Sequence, residues 1–183
     1  MQRIAKIDPA AAPAKTNEML DAVKRQLGGV PAIFQTIAQS PAALAGFLGF
    51  LGALGAGKLS AKLREQIALA CAGANACDYC ASAHSALGKK VGLASDEMTR
   101  NLRADSGDSR SRAALLFVRK VVAERGHVTD ADLATLRAAS FSDEEIVEII
   151  ANVALNIFTN YFNHIAATEI DFPAVSATSA KAA

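Results

Sequence analysis

Cys77-Asp78-Tyr79-Cys80-Ala81-Ser82-Ala83-His84 sets two thiols three residues apart and an imidazole four residues after the second. On a helix these positions run i, i+3 and i+7, so all three side chains project from one face. A vicinal thiol pair closes to a disulfide with little backbone movement. A histidine on the same stripe takes or gives a proton during that chemistry. The octet therefore reads as a helix built for thiol redox work.

Its neighbours read as helices too. The helix holding the thiols begins around Ala76 to Asp78 and ends at Gly92, with Lys89 and Lys90 in its last turns, where the helix dipole favours cations. Before it, Ser60 is placed as an N-cap. The helix it opens carries Leu63, Ile67, Ala70 and Cys71 on its apolar side and Glu65 on another, and ends near Asn75, expected in the left-handed region. Cys71 reads as a small buried hydrophobe. If the two helices form a hairpin through Gly73 to Ala76, Glu65 faces the thiols.

Further out, a first helix runs from about Asn17 to Leu27, stopped by Gly28-Gly29. Pro31 opens a short helix through Ile37, and Ser40-Pro41 starts the next. On the C-terminal side, Ser95-Asp96-Glu97 starts a short helix, and polar Arg103 to Arg112 reads as a loop. Ala113 to Arg125 is an amphipathic helix closed by Gly126, and Thr129 caps a helix over Asp130 to Ala139. Ser142-Asp143-Glu144-Glu145 is a capping box. Behind it, Ile146, Ile149, Ile150, Val153, Ile157 and Tyr161 mark a buried side at helical spacing. A second stripe, Asn152, Asn156, Asn160 and Asn163, reads either as a wet surface or as a subunit seam. His164 is expected to be a hydrogen-bonded structural residue. No segment alternates as a strand would. The expected class is all-α, a single domain over 1–183 with an N-terminal arm at 1–15 and a flexible tail at 174–183.

Composition agrees. Half of the 183 residues are apolar, Trp is absent and aromatics are few, so Ala, Leu, Ile and Val fill the core of a helical protein. The net charge of +1, with both signs interspersed, offers no basic stripe for nucleic acid. Nothing between Leu27 and Gly57 is charged, but the wholly apolar part falls at the short limit for a membrane span. Gly46, Gly49, Gly52 and Gly55 recur every three residues and leave a flat strip for another helix to approach. The expectation is no membrane partner. No secretory signal is recognisable, and three cysteines make no disulfide framework, so a cytoplasmic setting is expected, where a CxxC is catalytic or metal-binding more often than structural.

Magnitudes constrain the chemistry. A free thiol of pKa near 8.5 is only about 3% thiolate at neutral pH. Lowering the pKa to roughly 6.5 raises that fraction about 25-fold, while lost basicity costs about 8-fold in nucleophilicity. The net gain is about 3-fold, so an efficient peroxide-cleaving thiol also needs an acid to protonate the departing oxygen, worth about 10²–10⁴. His84 is the candidate, with Glu65 behind it to orient the ring. The reaction would give a sulfenic acid that the partner cysteine condenses to a disulfide. Helix-dipole reasoning favours Cys77 as the attacking sulfur; proximity to His84 favours Cys80.

Leu63-Arg64-Glu65-Gln66-Ile67-Ala68-Leu69 followed by Ala74-Asn75-Ala76 and the octet, with its Glu-x11-Cys-x2-Cys-x3-His spacing, resembles the AhpD-type alkylhydroperoxidases of the carboxymuconolactone decarboxylase superfamily, nearest the peroxidase-related branch. Asn156-Ile157-Phe158 through Thr168-Glu169-Ile170-Asp171-Phe172-Pro173 resembles that branch too. The resemblance implies an all-helical bundle with the CxxC at the N-terminal end of a central helix, assembled as a homo-oligomer (trimer or hexamer). It implies Cys80 as the peroxidatic sulfur, Cys77 as the resolving one, and Glu65 and His84 as a proton relay. The substrate would be a hydroperoxide and the reductant an external dithiol, which in the family can be a lipoyl-bearing protein; no cofactor is implied. Tyr79 stands where well-studied members place a histidine, and a phenol of pKa near 10 is a poor base. Tyr79 is nonetheless a candidate relay or packing residue. Alternatives from the residues alone are a general thiol–disulfide oxidoreductase, or a metal-binding or structural module in which Cys77, Cys80, His84 and Glu65 hold one ion. Lactone decarboxylation is less favoured, since that branch does not rely on the dithiol.

Overall fold

Helix ends in this chain are set by local chemistry. The computed structural model describes residues 2–178, which contain nine helices and no strand. Helix α1 (Ala14–Leu27) stops where Gly28 turns left-handed at φ 85°. The short α2 (Ala32–Ile37) follows Pro31, and α3 (Pro41–Gly55) is capped by the Ser40 hydroxyl, which accepts from the Ala43 N–H. Ser60 likewise caps α4 (Ala61–Ala74). Helix α5 (Asp78–Lys90) carries the thiol pair at its start and two lysines at its end. Helices α6 (Ser95–Asn101), α7 (Ser109–Ala123) and α8 (Asp130–Ala138) lead to the long α9 (Asp143–Ala166), which opens with the Ser142/Glu145 capping box. No helix among the described residues is long and apolar enough to cross a membrane.

The central element is α4, which packs against α5, α6, α7 and α9. Its residues feed two apolar clusters. Leu69 and Ala72 join residues of α1, α2, α3 and α5, while Leu63, Ile67, Ala70 and Cys71 join residues of α7, α8 and α9. Cys71 is fully buried there, as its apolar helix face requires, and burial pushes its thiol pKa up. Gly73 lets α4 approach the chain after α6: a Cβ at that position would collide with the Leu102 carbonyl oxygen.

Several expectations are corrected. Asn75 is not left-handed; the chain reverses one residue later, at Ala76 with φ 54°. Helix α7 begins at Ser109 instead of Ala113, because the Asp108 carboxylate caps it. On α9, Ile146, Ile149 and Val153 are buried as expected, but Ile150 and Tyr161 are 45% and 53% exposed. The buried face extends onto the asparagines: Asn152, Asn156, Asn160 and Asn163 are all buried within the chain and do not form an outer surface. No other part of the described chain lies close to the glycine strip of α3. Residues 174–178 are not a frayed tail: the Val175 N–H donates to Ser82 Oγ, the Ala177 N–H donates to Asp78 Oδ1, and Ala177 is buried. Residues 179–183 lie outside the described residues.

Candidate active site

The turn between α4 and α5 builds the site. The Cys77 N–H donates to Ala72 O at 2.9 Å, which anchors Cys77 just ahead of the helix in extended conformation. Its Sγ accepts from the Cys80 N–H at 3.4 Å, so a sulfur serves as the N-cap of α5. Cys80 sits in the first turn, where unpaired N–H groups and the helix dipole favour a negative sulfur. Both thiols are free and buried, 1% and 2% exposed.

The two sulfurs differ in charge preference. The Cys80 thiol is held below the ordinary thiol range, first by a hydrogen bond from the Cys77 thiol. Burial opposes this, and the charge of His84 and the amides of Asn163 and Asn160 reinforce it. Cys77 is pushed the other way, because it gives its proton to that bond and is itself buried. The environment thus favours one thiolate, at Cys80.

One turn on, His84 Nδ1 lies 2.8 Å from Glu65 Oε2 of α4. The α4–α5 hairpin has brought together two residues nineteen positions apart. A carboxylate only accepts, so Nδ1 carries the hydrogen and Nε2 is the nitrogen left for proton exchange. Burial pulls the His84 pKa down, but the Glu65 charge and hydrogen bond outweigh it and leave the imidazole easier to protonate than a free one.

Tyr79 is placed differently from a relay residue. Its hydroxyl accepts from the Ile33 N–H at 3.2 Å and donates to Asp171 Oδ1 at 2.9 Å. Asp171 Oδ2 in turn accepts from the Ala32 N–H, and Phe172 packs edge-on against the Tyr79 ring. Both hydrogen-bonding functions of the phenol are therefore committed to a bracket joining α2, α5 and the C-terminal segment. Burial drives its pKa up, further from any role as a base. His164 donates from Nε2 to the Asn75 carbonyl, the structural role expected of it.

Cys80, Tyr79, His84 and Glu65 open on a cavity of about 590 Å³. Its walls are mostly apolar, with Phe34, Phe47, Leu51 and Leu54 among them, and Asn152, Asn156 and Asn163 supply polar points. Among the described residues, no three His, Cys, Asp or Glu side chains are grouped so as to hold a metal ion, so the metal-centre alternative lacks its ligand cluster. Asn163 was not among the expected site residues, yet its Nδ2 donates to Cys80 Sγ at 3.3 Å. The signal was the asparagine stripe itself.

The sequence pattern of the carboxymuconolactone decarboxylase family matches residues 41–120, which contain Glu65, both site thiols and His84. A solved structure described as an alkylhydroperoxidase AhpD core, a peroxidase-related protein from Ralstonia eutropha JMP134, is 30% identical, with 93% of this chain and 92% of that one aligned at a TM-score of 0.83. This chain belongs to the AhpD-like carboxymuconolactone decarboxylase superfamily. A peroxidase-related protein from Silicibacter sp. TM1040 is 26% identical over 91% of this chain and 88% of its own, at a TM-score of 0.81. The debrominase Bmp8, solved with 2,3,4-tribromopyrrole, shares the AhpD-like fold at 20% identity, covering 97% of this chain and 95% of its own with a TM-score of 0.79. No curated protein matches the chain. The AhpD-like fold is thus established at the level of family, and it is not confined to peroxide chemistry.

Proposed function

We propose that the protein is a thiol-dependent, peroxidase-like oxidoreductase that reduces hydroperoxides through a Cys77/Cys80 dithiol–disulfide cycle. The carrying observation is the His84–Glu65 pair one turn from a thiol whose surroundings lower its pKa. The Cys80 thiolate attacks one oxygen of the O–O bond. That bond breaks, its electron pair leaves on the other oxygen, and protonated His84 donates a proton to it, releasing an alcohol or water. Sulfur is oxidised by two electrons to a sulfenic acid. The Cys77 thiol, giving up its proton, then attacks the Cys80 sulfur, the S–O bond breaks, water leaves and the disulfide closes. An external dithiol restores both thiols. Glu65 orients His84 and supports its charge. Tyr79 serves to fix the first turn of α5, in place of any part in the relay.

The AhpD-like family and its peroxidase-related members support this reading. Stopped-flow mixing of reduced protein with hydrogen peroxide and with an organic hydroperoxide, with thiol states read by mass, tests it. Wild type should end as the Cys77–Cys80 disulfide, Cys77→Ser should halt at a sulfenic acid, and Cys80→Ser should not react. Exchange with dithiols but indifference to both peroxides would reject the peroxidase reading.

The protein is further read as a homo-oligomer. Val147, Ile150, Phe158, Tyr161 and Ile165 recur at helical spacing along the outer face of α9 and are each 42% exposed or more. A continuous apolar stripe of this length is costly to leave in water.

A further inference from the structure

The four asparagines of α9 divide into two pairs. Asn152 and Asn156 spend their amide donors on their own helix: Asn152 Nδ2 reaches Glu148 O and Asn156 Nδ2 reaches Asn152 O, each at 2.8 Å. Asn160 and Asn163 do not. Asn160 Oδ1 accepts from Asn75 Nδ2 at 2.8 Å, and Asn163 Nδ2 donates to Cys80 Sγ at 3.3 Å. These two side chains are buried, 0% and 5% exposed. Each has one polar atom without a hydrogen-bond partner among the described residues: the Asn160 Nδ2 donor and the Asn163 Oδ1 acceptor. Buried amides normally find partners, so two half-satisfied ones beside one sulfur call for an explanation. Asn160 lies near enough to favour the Cys80 thiolate, though it completes no bond to it.

Resting on the peroxidase reading above, we propose that Asn160 and Asn163 form a two-amide cradle for Cys80: Asn163 Nδ2 holds the thiolate, and both side chains then hold the oxygen that the sulfur acquires. When the thiolate displaces the leaving oxygen, the S–O bond puts a new polar atom where only sulfur stood. As a sulfenate oxygen it accepts from Asn160 Nδ2. As a sulfenic acid it donates its proton to Asn163 Oδ1. Asn163 Oδ1 has no complement on a thiolate, and Asn160 Nδ2, which favours the anion without completing a bond to it, gains a full acceptor when the oxygen arrives. The cradle keeps the sulfenic oxygen against α9, and when the Cys77 sulfur attacks, the S–O bond breaks and that oxygen leaves as water.

Two arms test this in a Cys77→Ser background, which removes the resolving thiol. First, the pH dependence of Cys80 alkylation by iodoacetamide is compared with and without Asn163→Leu. The apparent pKa should rise by about one unit, a tenfold loss of thiolate on the acid side of the curve. This arm needs no peroxide, so it judges the cradle even if the protein proves inert to hydroperoxides. Asn163→Ala, smaller and uncharged, gives the same reading if Asn163→Leu does not fold. Second, side-chain amide resonances of Asn160 and Asn163 are followed by NMR before and after one equivalent of peroxide, with no asparagine replaced. Both should shift when the sulfenic acid forms, and Asn160→Ala should shorten the sulfenic lifetime, trapped with dimedone, several-fold. An unchanged Cys80 pKa in a folded Asn163 variant, or amide resonances indifferent to oxidation of Cys80, overturns the cradle. A changed melting temperature with an unchanged alkylation profile does so too, since it marks a purely structural role.

Discussion

Cys80 sits where several weak effects add at one atom. A helix N-terminus, a neighbouring thiol, an amide and an imidazolium each favour the anion against the cost of burial. Thiolate formation alone is worth only about 3-fold over a free thiol, since nucleophilicity falls with basicity. Most of any rate advantage must therefore come from the acid, which makes Glu65 as informative as the sulfur. Glu65→Gln keeps the shape and removes the charge that outweighs the burial of His84. Peroxide oxidation should slow on the order of 10–100-fold, the usual cost of losing the partner of a working imidazole. The sign of the pH effect is fixed as well. Glu65 raises the His84 pKa, so without it protonated His84 is lost at a lower pH, and the alkaline limb of the rate profile should move down. Stopped-flow rates across pH check both, and an unmoved limb would remove Glu65 from the relay.

Elements place these residues, and they differ in how legible they were. The caps at Ser40, Ser60 and Ser142 and the stops at Gly28 and Gly126 are local chemistry, so the sequence announced them within a few residues. The hairpin that joins Glu65 to His84 was legible too, because a short turn leaves consecutive helices few ways to pack. Its tight point is Gly73. Gly73→Ala should cost about 1–3 kcal/mol in denaturant unfolding, since a Cβ there meets backbone that cannot swing aside. The face of α9 was misread for a physical reason. Periodicity counts apolar residues, whereas beyond Ile146, Ile149 and Val153 the inward face carries amides that serve a polar site, and Ile150, Tyr161 and Ile165 turn outward. The C-terminal segment was misread because its partners, Asp78, Tyr79 and Ser82, lie about ninety residues earlier in the chain. Asp171 is the hinge pin of that segment, bound to both Tyr79 Oη and the Ala32 N–H. Asp171→Ala should cost about 1–3 kcal/mol, the penalty for leaving buried donors unpaired. Hydrogen exchange should quicken at Ala32, Ile33 and residues 174–178, and protection unchanged at these amides would show that the bracket does not hold the segment.

On the scale of the molecule, α4 divides two apolar clusters, and the thiol cavity opens on the side of α1, α2 and α3. A second apolar region faces outward. Along α9 it runs from Val147 to Ile165, and Phe50 and Leu51 of α3 are exposed as well. Phe158 touches Phe47 and Phe162 with one side of its ring and Leu51 borders the cavity, but none of these residues is a buried member of either internal cluster, so in a monomer much of their hydrocarbon would face water. A second copy of the same chain would bury them at no cost in new polar groups, because the stripe itself carries no charge. At micromolar concentration, sedimentation velocity should show a species larger than the monomer. Tyr161→Asp with Ile165→Asp should shift it towards monomer while helical circular dichroism persists, since both side chains are more than half exposed and support no internal packing. A wild-type protein that sediments as a monomer would reject self-association.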